Sequence, residues 1–398
     1  MIKLNPDNVT RADLVVGIPS YNEADNIAFV VKQIIEGLHN YFPDFTSVII
    51  NVDNNSPDDT KSAFLNAPNG VPKMYISTPE GVKGKGNNFY NLFQEMLQLN
   101  SKAAVVVDAD LQSITPEWIK ELASPILNGY DYVTPLYSRN EYDGTITNNI
   151  CYPVIMGLLG KDIRQPIGGD FAFSQNLAQY YLQQKWTKTT RQYGIDIFMT
   201  LNAVLGGFEC CQVALGAKVH KPSAPKLGPM FTQVVDTLFQ TILAQKDKWL
   251  GQVTLKKYPL FGEKELEKPQ GLGVDYKGMK ETALYEFKIN RDILEAALNP
   301  AIFDKITKMY ADRKINIGVD LWTKIVYNLI YTYDTTDLNS HLIEAMKSLY
   351  FGRVVSFIKQ TLEKDHITSE QMIQNQAKHF YKYRNLLAQN YEYHRAVA

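Results

Sequence analysis

Val105-Val106-Val107-Asp108-Ala109-Asp110 sets two carboxylates at the end of an apolar run. Such a run reads as a buried strand, and unpaired charges are costly to bury, so these acids need a partner. In extended backbone, residues two apart face the same way, so Asp108 and Asp110 are expected to present their oxygens together. Carboxylate oxygens suit hard divalent cations, which in turn hold and neutralise a diphosphate. The same pair also suits helix capping, because Pro116 and Glu117 open a helix soon after.

Three other segments have chemical potential. Gly81-Val82-Lys83-Gly84-Lys85-Gly86 precedes a helix, where backbone N–H groups and the positive helix end favour phosphate, and Lys83 and Lys85 add charge. The order of residues is neither a Walker A loop nor a dinucleotide fingerprint, and a solvated Gly/Lys turn is the plain alternative. Pro19-Ser20-Tyr21-Asn22-Glu23 follows the first strand and Asp53-Asn54-Asn55-Ser56 the second. Ligands gather at strand ends in open α/β sheets, and Asp53 is placed to accept hydrogen bonds from a nucleobase edge. Ordinary turn and capping chemistry uses the same residue types.

The elements that must position these residues are legible in the periodicity. From residue 13 to about 225, short β-branched runs (Leu14–Ile18, Val48–Val52, Met74–Ile76, Ala103–Val107) alternate with helix-period segments. That pattern predicts an α/β domain of parallel strands joined by crossover helices. Further strands are expected near Tyr132–Thr134, Phe171–Phe173 and Gln212–Leu215. Ile27, Val30, Val31, Ile34, Ile35 and Leu38 form one apolar stripe, as do Phe89, Leu92, Phe93, Met96 and Leu97. After residue 225 the texture changes to helical segments, at about 281–298, 300–311, 319–332, 338–362 and 368–390. A stretch rich in Gly, Pro and Lys, 251–280, reads as a linker or long loop. The expected division is therefore 1–225 for the catalytic domain and 226–398 for a helical extension.

The 398 residues carry 41 Lys+Arg against 42 Asp+Glu, a net charge of −1. No global field favours nucleic acid or an anionic membrane, so a charged ligand must be bound locally. Three cysteines, Cys151, Cys210 and Cys211, have neither zinc spacing nor the density of a disulfide framework. With no signal-peptide pattern at the start and no apolar run of spanning length, a cytoplasmic protein without a membrane span is expected.

In this order, the Pro-x-Tyr-Asn-Glu loop, the aspartate ending the second strand and the Asp-x-Asp motif resemble the nucleotide-binding half of GT-A glycosyltransferases, over about residues 13–115. The middle of the chain extends the likeness. Arg139-Asn-Glu-Tyr-Asp143-Gly144-Thr-Ile-Thr147, Gln165-Pro-Ile-Gly168-Gly169-Asp170, Tyr193-Gly-Ile-Asp196 and Gly216-Ala-Lys-Val-His220 are similar to the mannosylglycerate synthase family, which has a helical C-terminal extension.

The resemblance implies a GT-A, Rossmann-like nucleotide-sugar domain. It implies donor contacts at Pro19, Tyr21, Asn22, Glu23, Asp53, Lys83, Lys85, Asp108, Gly168 and Gly169. It further implies acceptor contacts at Arg139, Asp143, Gly144 and Thr147, a divalent cation (Mg²⁺ or Mn²⁺) on Asp110 and His220, and an active-site carboxylate at Asp196. The family's tryptophan is Tyr193 here, and its Gly-Gly-Glu is Gly168-Gly169-Asp170.

The activity so implied is retaining transfer of a hexose from GDP-mannose or a nucleoside-diphosphate glucose to D-glycerate or a similar hydroxy acid, giving a compatible solute. On its own chemistry, the Arg139 guanidinium suits a small carboxylate through two parallel hydrogen bonds. Three alternatives remain open. Glucosyl-3-phosphoglycerate synthesis would need further cations such as Lys218 or Lys221. A sugar-phosphate nucleotidyltransferase would use the same residue types, and a nucleotide-sugar sensor would bind without turnover. The C-terminal helices are a possible surface for a homo-oligomer.

Overall fold

A computed structural model describes residues 2–221, 227–263, 271 and 273–397. In chain order the first elements are β1 (Lys3–Leu4), β2 (Leu14–Ser20), α1 (Ile27–Tyr41), β3 (Ser47–Asp53), α2 (Thr60–Leu65) and β4 (Lys73–Ser77). They are followed by α3 (Lys85–Gln98), β5 (Ala103–Val106), α4 (Pro116–Leu127) and β6 (Tyr132–Ser138). A helical stretch comes next, in which one α-turn, α5 (Tyr152–Val154), lies between two wider π-turns, Thr147–Cys151 and Ile155–Leu159. Then come β7 (Lys161–Asp162), β8 (Phe171–Ser174), α6 (Gln175–Gln183), α7 (Ile195–Leu205) and β9 (Cys210–Ala217). The remainder is α8 (Leu227–Leu243), α9 (Asp247–Leu250), β10 (Lys256–Lys257), β11 (Leu260–Phe261), α10 (Tyr276–Ile289) and α11 (Arg291–Ala297). It ends with α12 (Pro300–Ala311), α13 (Val319–Thr335), α14 (Asn339–Thr361), α15 (His366–Lys382) and α16 (Asn385–Val397).

The chain forms two compact units. One comprises residues 1–139, 164–225 and 258–270, the other 140–163, 226–257 and 271–398. These units do not part at residue 225, where the change of texture put the boundary: 140–163 groups with the helices and 258–270 with the sheet. The expected 251–280 loop is also interrupted. β10 pairs with β7, β11 pairs with β9, and α10 begins at Tyr276; residues 264–270 and 272 lie outside the described residues.

The first unit is built on a sheet of order β1-β4-β3-β2-β5-β8-β6-β9-β11. β4, β3, β2 and β5 run parallel, and every residue of β2 is buried. Strands covered on both faces read as unbroken apolar runs, which is why Leu14–Ile18 was recognisable. On one side Ile27, Val30, Val31, Ile34 and Leu38 of α1 and Ile119, Leu122 and Ala123 of α4 join Leu14, Val16 and Val105 in a single core.

The sheet is mixed rather than wholly parallel, because β8 runs antiparallel to both β5 and β6. Its direction follows from where the chain re-enters. Gln165 accepts from Tyr137 N (3.2 Å) and donates to Tyr137 O (2.8 Å), pairing with the end of β6 as another strand would. The chain therefore enters β8 from the edge at which β5 and β6 end, and must run back. That edge receives the carboxyl ends of seven parallel strands and, in addition, the residue preceding β8.

In the second unit the apolar faces of the helices pack on one another. Tyr152, Met156, Phe357, Ile373 and Ala377 form one buried group. Among the described residues no helix is long and apolar enough to cross a membrane.

Candidate active site

β5 ends at Val106, so the two carboxylates lie in the turn beyond it and have different surroundings. Asp108 is held from both sides: Lys85 Nζ donates to Oδ1 at 2.9 Å and Lys218 Nζ to Oδ2 at 3.1 Å. Burial opposes its charge, yet the two ammonium groups hold it well below the usual carboxylate range. Asp110 makes no hydrogen bond or ion pair with the described residues. Burial, reinforced by the charge of Asp108, pushes its pKa up, while Lys218 and His220 act in the opposite sense.

The turn is fixed by its neighbours. Asn26 Nδ2 donates to Ala109 O and Leu111 O, both at 2.9 Å. Gln112 N donates to Val219 O and Val219 N to Ser113 Oγ, each at 2.9 Å, which ties the exit of β9 to the turn and brings His220 within electrostatic reach of Asp110.

Lys218 is the hub of the cluster. Its side chain is only 3% exposed, and besides Asp108 it donates to Asp170 Oδ2 at 2.6 Å and Gly168 O at 2.9 Å. Burial would lower its pKa, but Asp170 and Asp108 raise it, and it remains charged. Asp170, the residue before β8, also accepts from Asp108 N at 2.8 Å and from the Tyr137 hydroxyl. Gly169 sits beside this ion pair at φ +90°, where an added Cβ would lie 2.2 Å from Asp108 Oδ2. Asp196, in the first turn of α7, is 3.5 Å from Lys85 Nζ, and burial pushes its pKa up. Arg139 follows β6, with its guanidinium 5.4 Å from the Tyr137 ring centre.

Two sequence expectations are corrected. Asp53 is fully buried and accepts from Ser20 Oγ (2.8 Å), Ser56 N (2.7 Å), Ser56 Oγ (2.6 Å) and Tyr75 OH (2.8 Å). A carboxylate has about four acceptor positions, so none remains for a base edge; Asp53 fastens the loops after β2 and β3 instead. Nor is the Gly/Lys segment an open anion cradle. The amides of Val82, Gly84, Gly86 and Asn87 donate to Pro79 O, Asn54 Oδ1, Gln192 O and Arg191 O.

The glycine at 86 is there for close approach, since a Cβ would lie 2.0 Å from Thr190 O. Gly86→Ala is therefore expected to destabilise the fold by about 1–3 kcal/mol, as overpacking does, measurable as a lower urea midpoint at unchanged slope.

The other expected donor residues are nearby. Pro19 is buried at the end of β2. Tyr21 OH accepts from the exposed Lys83 at 2.7 Å. Asn22 takes a left-handed φ of 60° and donates its amide to Ser56 Oγ. Glu23 accepts from Lys221 at 2.7 Å, and Lys221 also holds Asp25 at 2.8 Å. Asp143, Gly144 and Thr147 belong to the second unit. The Thr147 hydroxyl is buried without a hydrogen-bond partner among the described residues.

Residues 15–182 match the family described as Glycosyl transferase family 2. The chain carries a family 2 glycosyltransferase domain. The match takes in Lys85, Asp108, Asp110, Arg139 and Asp170, whereas Asp196, Lys218 and His220 lie past its end. No curated protein matches the chain in sequence.

Among solved structures, glucosyl-3-phosphoglycerate synthase from Mycobacterium tuberculosis in complex with Mn²⁺, UDP and phosphoglyceric acid is similar at 25% identity and a TM-score of 0.45, covering 58% of this chain and 78% of that one. The same enzyme with Mg²⁺ and UDP is similar at 26% identity and TM-score 0.45, over 58% and 79% of the two chains.

Asp170, Lys218 and Tyr137 were under-read in the sequence. A signal existed: Asp170 directly precedes an apolar strand, and Lys218 shares a face with His220 by the alternation of extended backbone.

Proposed function

We propose that the chain is a metal-dependent, retaining glycosyltransferase. It moves a hexose, mannose or glucose, from a nucleoside-diphosphate donor to D-glycerate or a similar small hydroxy acid in the cytoplasm. The observation that carries this reading is Asp110, a half-buried carboxylate with a raised pKa and no hydrogen-bond or ion-pair partner among the described residues, two residues from an aspartate neutralised by two lysines.

The donor set fits Mg²⁺ or Mn²⁺. Among the described residues no group of three or more His, Cys, Asp or Glu side chains is placed to hold a metal. Asp110 and His220 would hold the ion by themselves, which suits cations that retain waters and take phosphate oxygens as ligands. When bound, the ion would neutralise charge on the departing diphosphate.

Lys85 and Lys218 hold Asp108 anionic and fixed, so the turn carrying Asp110 is preorganised. Arg139 takes the acceptor carboxylate. The acceptor contacts of Asp143, Gly144 and Thr147 stand on the family resemblance, and the orphaned Thr147 hydroxyl supports one of them. A phosphorylated acceptor is the weaker reading, because the cations available to it, Lys218 and Lys221, are both committed to carboxylates.

A donor-by-acceptor panel scoring nucleoside diphosphate release tests the reading. Turnover with D-glycerate and an α-linked product by NMR is expected. Preference for 3-phosphoglycerate would transfer the assignment to the phosphorylated acceptor, and pyrophosphate release would identify a nucleotidyltransferase. Arg139→Lys keeps the charge but loses the planar fork, so acceptor KM should rise about tenfold with donor KM unchanged. Equal weakening of both would contradict the role.

Asp196 is the positioning carboxylate of a same-face transfer. It is tied to Lys85; Asp108 and Asp170 are paired with lysines, and Asp110 is given to the cation, which leaves Asp196 without an acid/base partner in this reading. Asp196→Asn should lower kcat roughly ten- to a hundredfold with the fold intact. A covalently glycosylated Asp196 detected by mass spectrometry would replace same-face transfer with double displacement.

A further inference from the structure

Pro153 has no amide hydrogen, so one carbonyl a turn earlier loses its backbone donor: that of Asn149 in an α-turn, that of Asn148 in a π-turn. The chain adopts the wider turn, with Tyr152 N–H closing onto Thr147 O. This also relieves the clash of the proline ring with the carbonyl four residues back. The donor missing for Asn148 O comes from a distant helix, as Gln376 Nε2 of α15 donates to it at 2.8 Å. Asn149 O is taken by Trp322 Nε1 of α13 at 2.7 Å.

The Gln376 amide cannot flip. Arg353 Nε of α14 donates to its Oε1 at 2.9 Å, which leaves Nε2 as the group facing Asn148. Arg353 is itself buried with only neutral acceptors, the carbonyl of Ile317 (3.1 Å) and Gln360 Oε1 (3.4 Å) being the others, and no carboxylate among the described residues pairs with it. Burial pushes its pKa down to about 10. A charge held this way is expensive, and what it secures is the orientation of one amide.

Thr147 begins this turn. A helical threonine ordinarily bonds a carbonyl three or four residues back, but here Asn148 N takes Gly144 O and Asn148 Nδ2 approaches Asp143 O at 3.4 Å. The Thr147 hydroxyl is left 2% exposed and without a partner among the described residues. We propose that Gln376, fixed by Arg353, is a positioning residue for acceptor recognition: by supplying the donor that Pro153 lacks, it holds the 147–151 turn in the register that leaves the Thr147 hydroxyl for an acceptor hydroxyl. This rests on the acceptor role given to Thr147 above.

Gln376→Glu separates positioning from stability. The new carboxylate still accepts from Arg353, and gives it a counter-charge, but cannot donate to Asn148 O. In the full-length protein, with D-glycerate as the probe, acceptor KM should rise roughly five- to tenfold, the equivalent of one lost hydrogen bond. Donor KM and the thermal midpoint should hold or, for the midpoint, increase. Backbone amide exchange across 147–152 should quicken. If Gln376→Glu does not fold, Arg353→Met, which frees the amide to flip, should raise acceptor KM, and Arg353→Lys should restore most of it. Thr147→Val tests the underlying reading: unchanged acceptor KM there removes the acceptor role of Thr147 and the proposal with it. A raised KM in Thr147→Val beside normal values in Gln376→Glu, or in Arg353→Met where that variant replaces it, leaves the acceptor reading standing and overturns the positioning role.

Discussion

Asp110→Ala should lower kcat by about a hundred- to a thousandfold, the scale for losing one preorganised group that stabilises charge in the transition state. The unfolding midpoint should barely move. Those two expectations have one origin: Asp110 is half-buried, its pKa is raised by burial, and no described residue bonds it, so its removal breaks nothing in the folded chain. A structural acid would show the reverse pattern. Chelation of the wild-type protein should abolish turnover, and Mg²⁺ or Mn²⁺ should restore it, whereas the variant should gain little from either ion. Full activity after exhaustive metal removal, or an Asp110→Ala variant at the normal rate, would end the metal assignment.

Lys218→Met should have its main effect on stability, lowering it by about 3–5 kcal/mol, because it leaves the fully buried Asp170 without its cation and Asp108 with Lys85 alone. Lys221 supplies the internal control. It also bridges two carboxylates, but its side chain is 37% exposed, and one partner, Asp25, is 70% exposed. Water screens such a pair, so Lys221→Met should cost no more than about 1 kcal/mol. Equal losses in the two variants, read as urea midpoints at constant slope, would mean that the buried cluster is not held by charge.

Much of the first unit was legible because strands covered on both faces leave unbroken apolar runs, as Leu14–Ile18 and Ala103–Val107 do. The direction of β8 was not. A four-residue strand reads alike in either sense, and its orientation is decided by Gln165 pairing with Tyr137, a contact between residues 28 apart. The site was legible as a set of residue types but not as a set of partners. Asp108 and Asp110 look equivalent in sequence; two lysines, 23 and 110 residues from Asp108, make them different. Asp53 was misread for a related reason, since the hydroxyl of Tyr75 that completes its four bonds comes from the neighbouring strand.

The ion-pair cluster also bears on the order of folding. Its links join residues 23, 48, 62 and 110 positions apart, so most of it belongs to late, non-local pairing and little to any local nucleus. While the chain emerges from the ribosome, Asp108 and Asp170 are both synthesised before Lys218. Until that lysine arrives Asp108 has only Lys85 and Asp170 has no lysine. The complete cluster, and with it the arrangement around Asp110, therefore requires the chain through the end of β9.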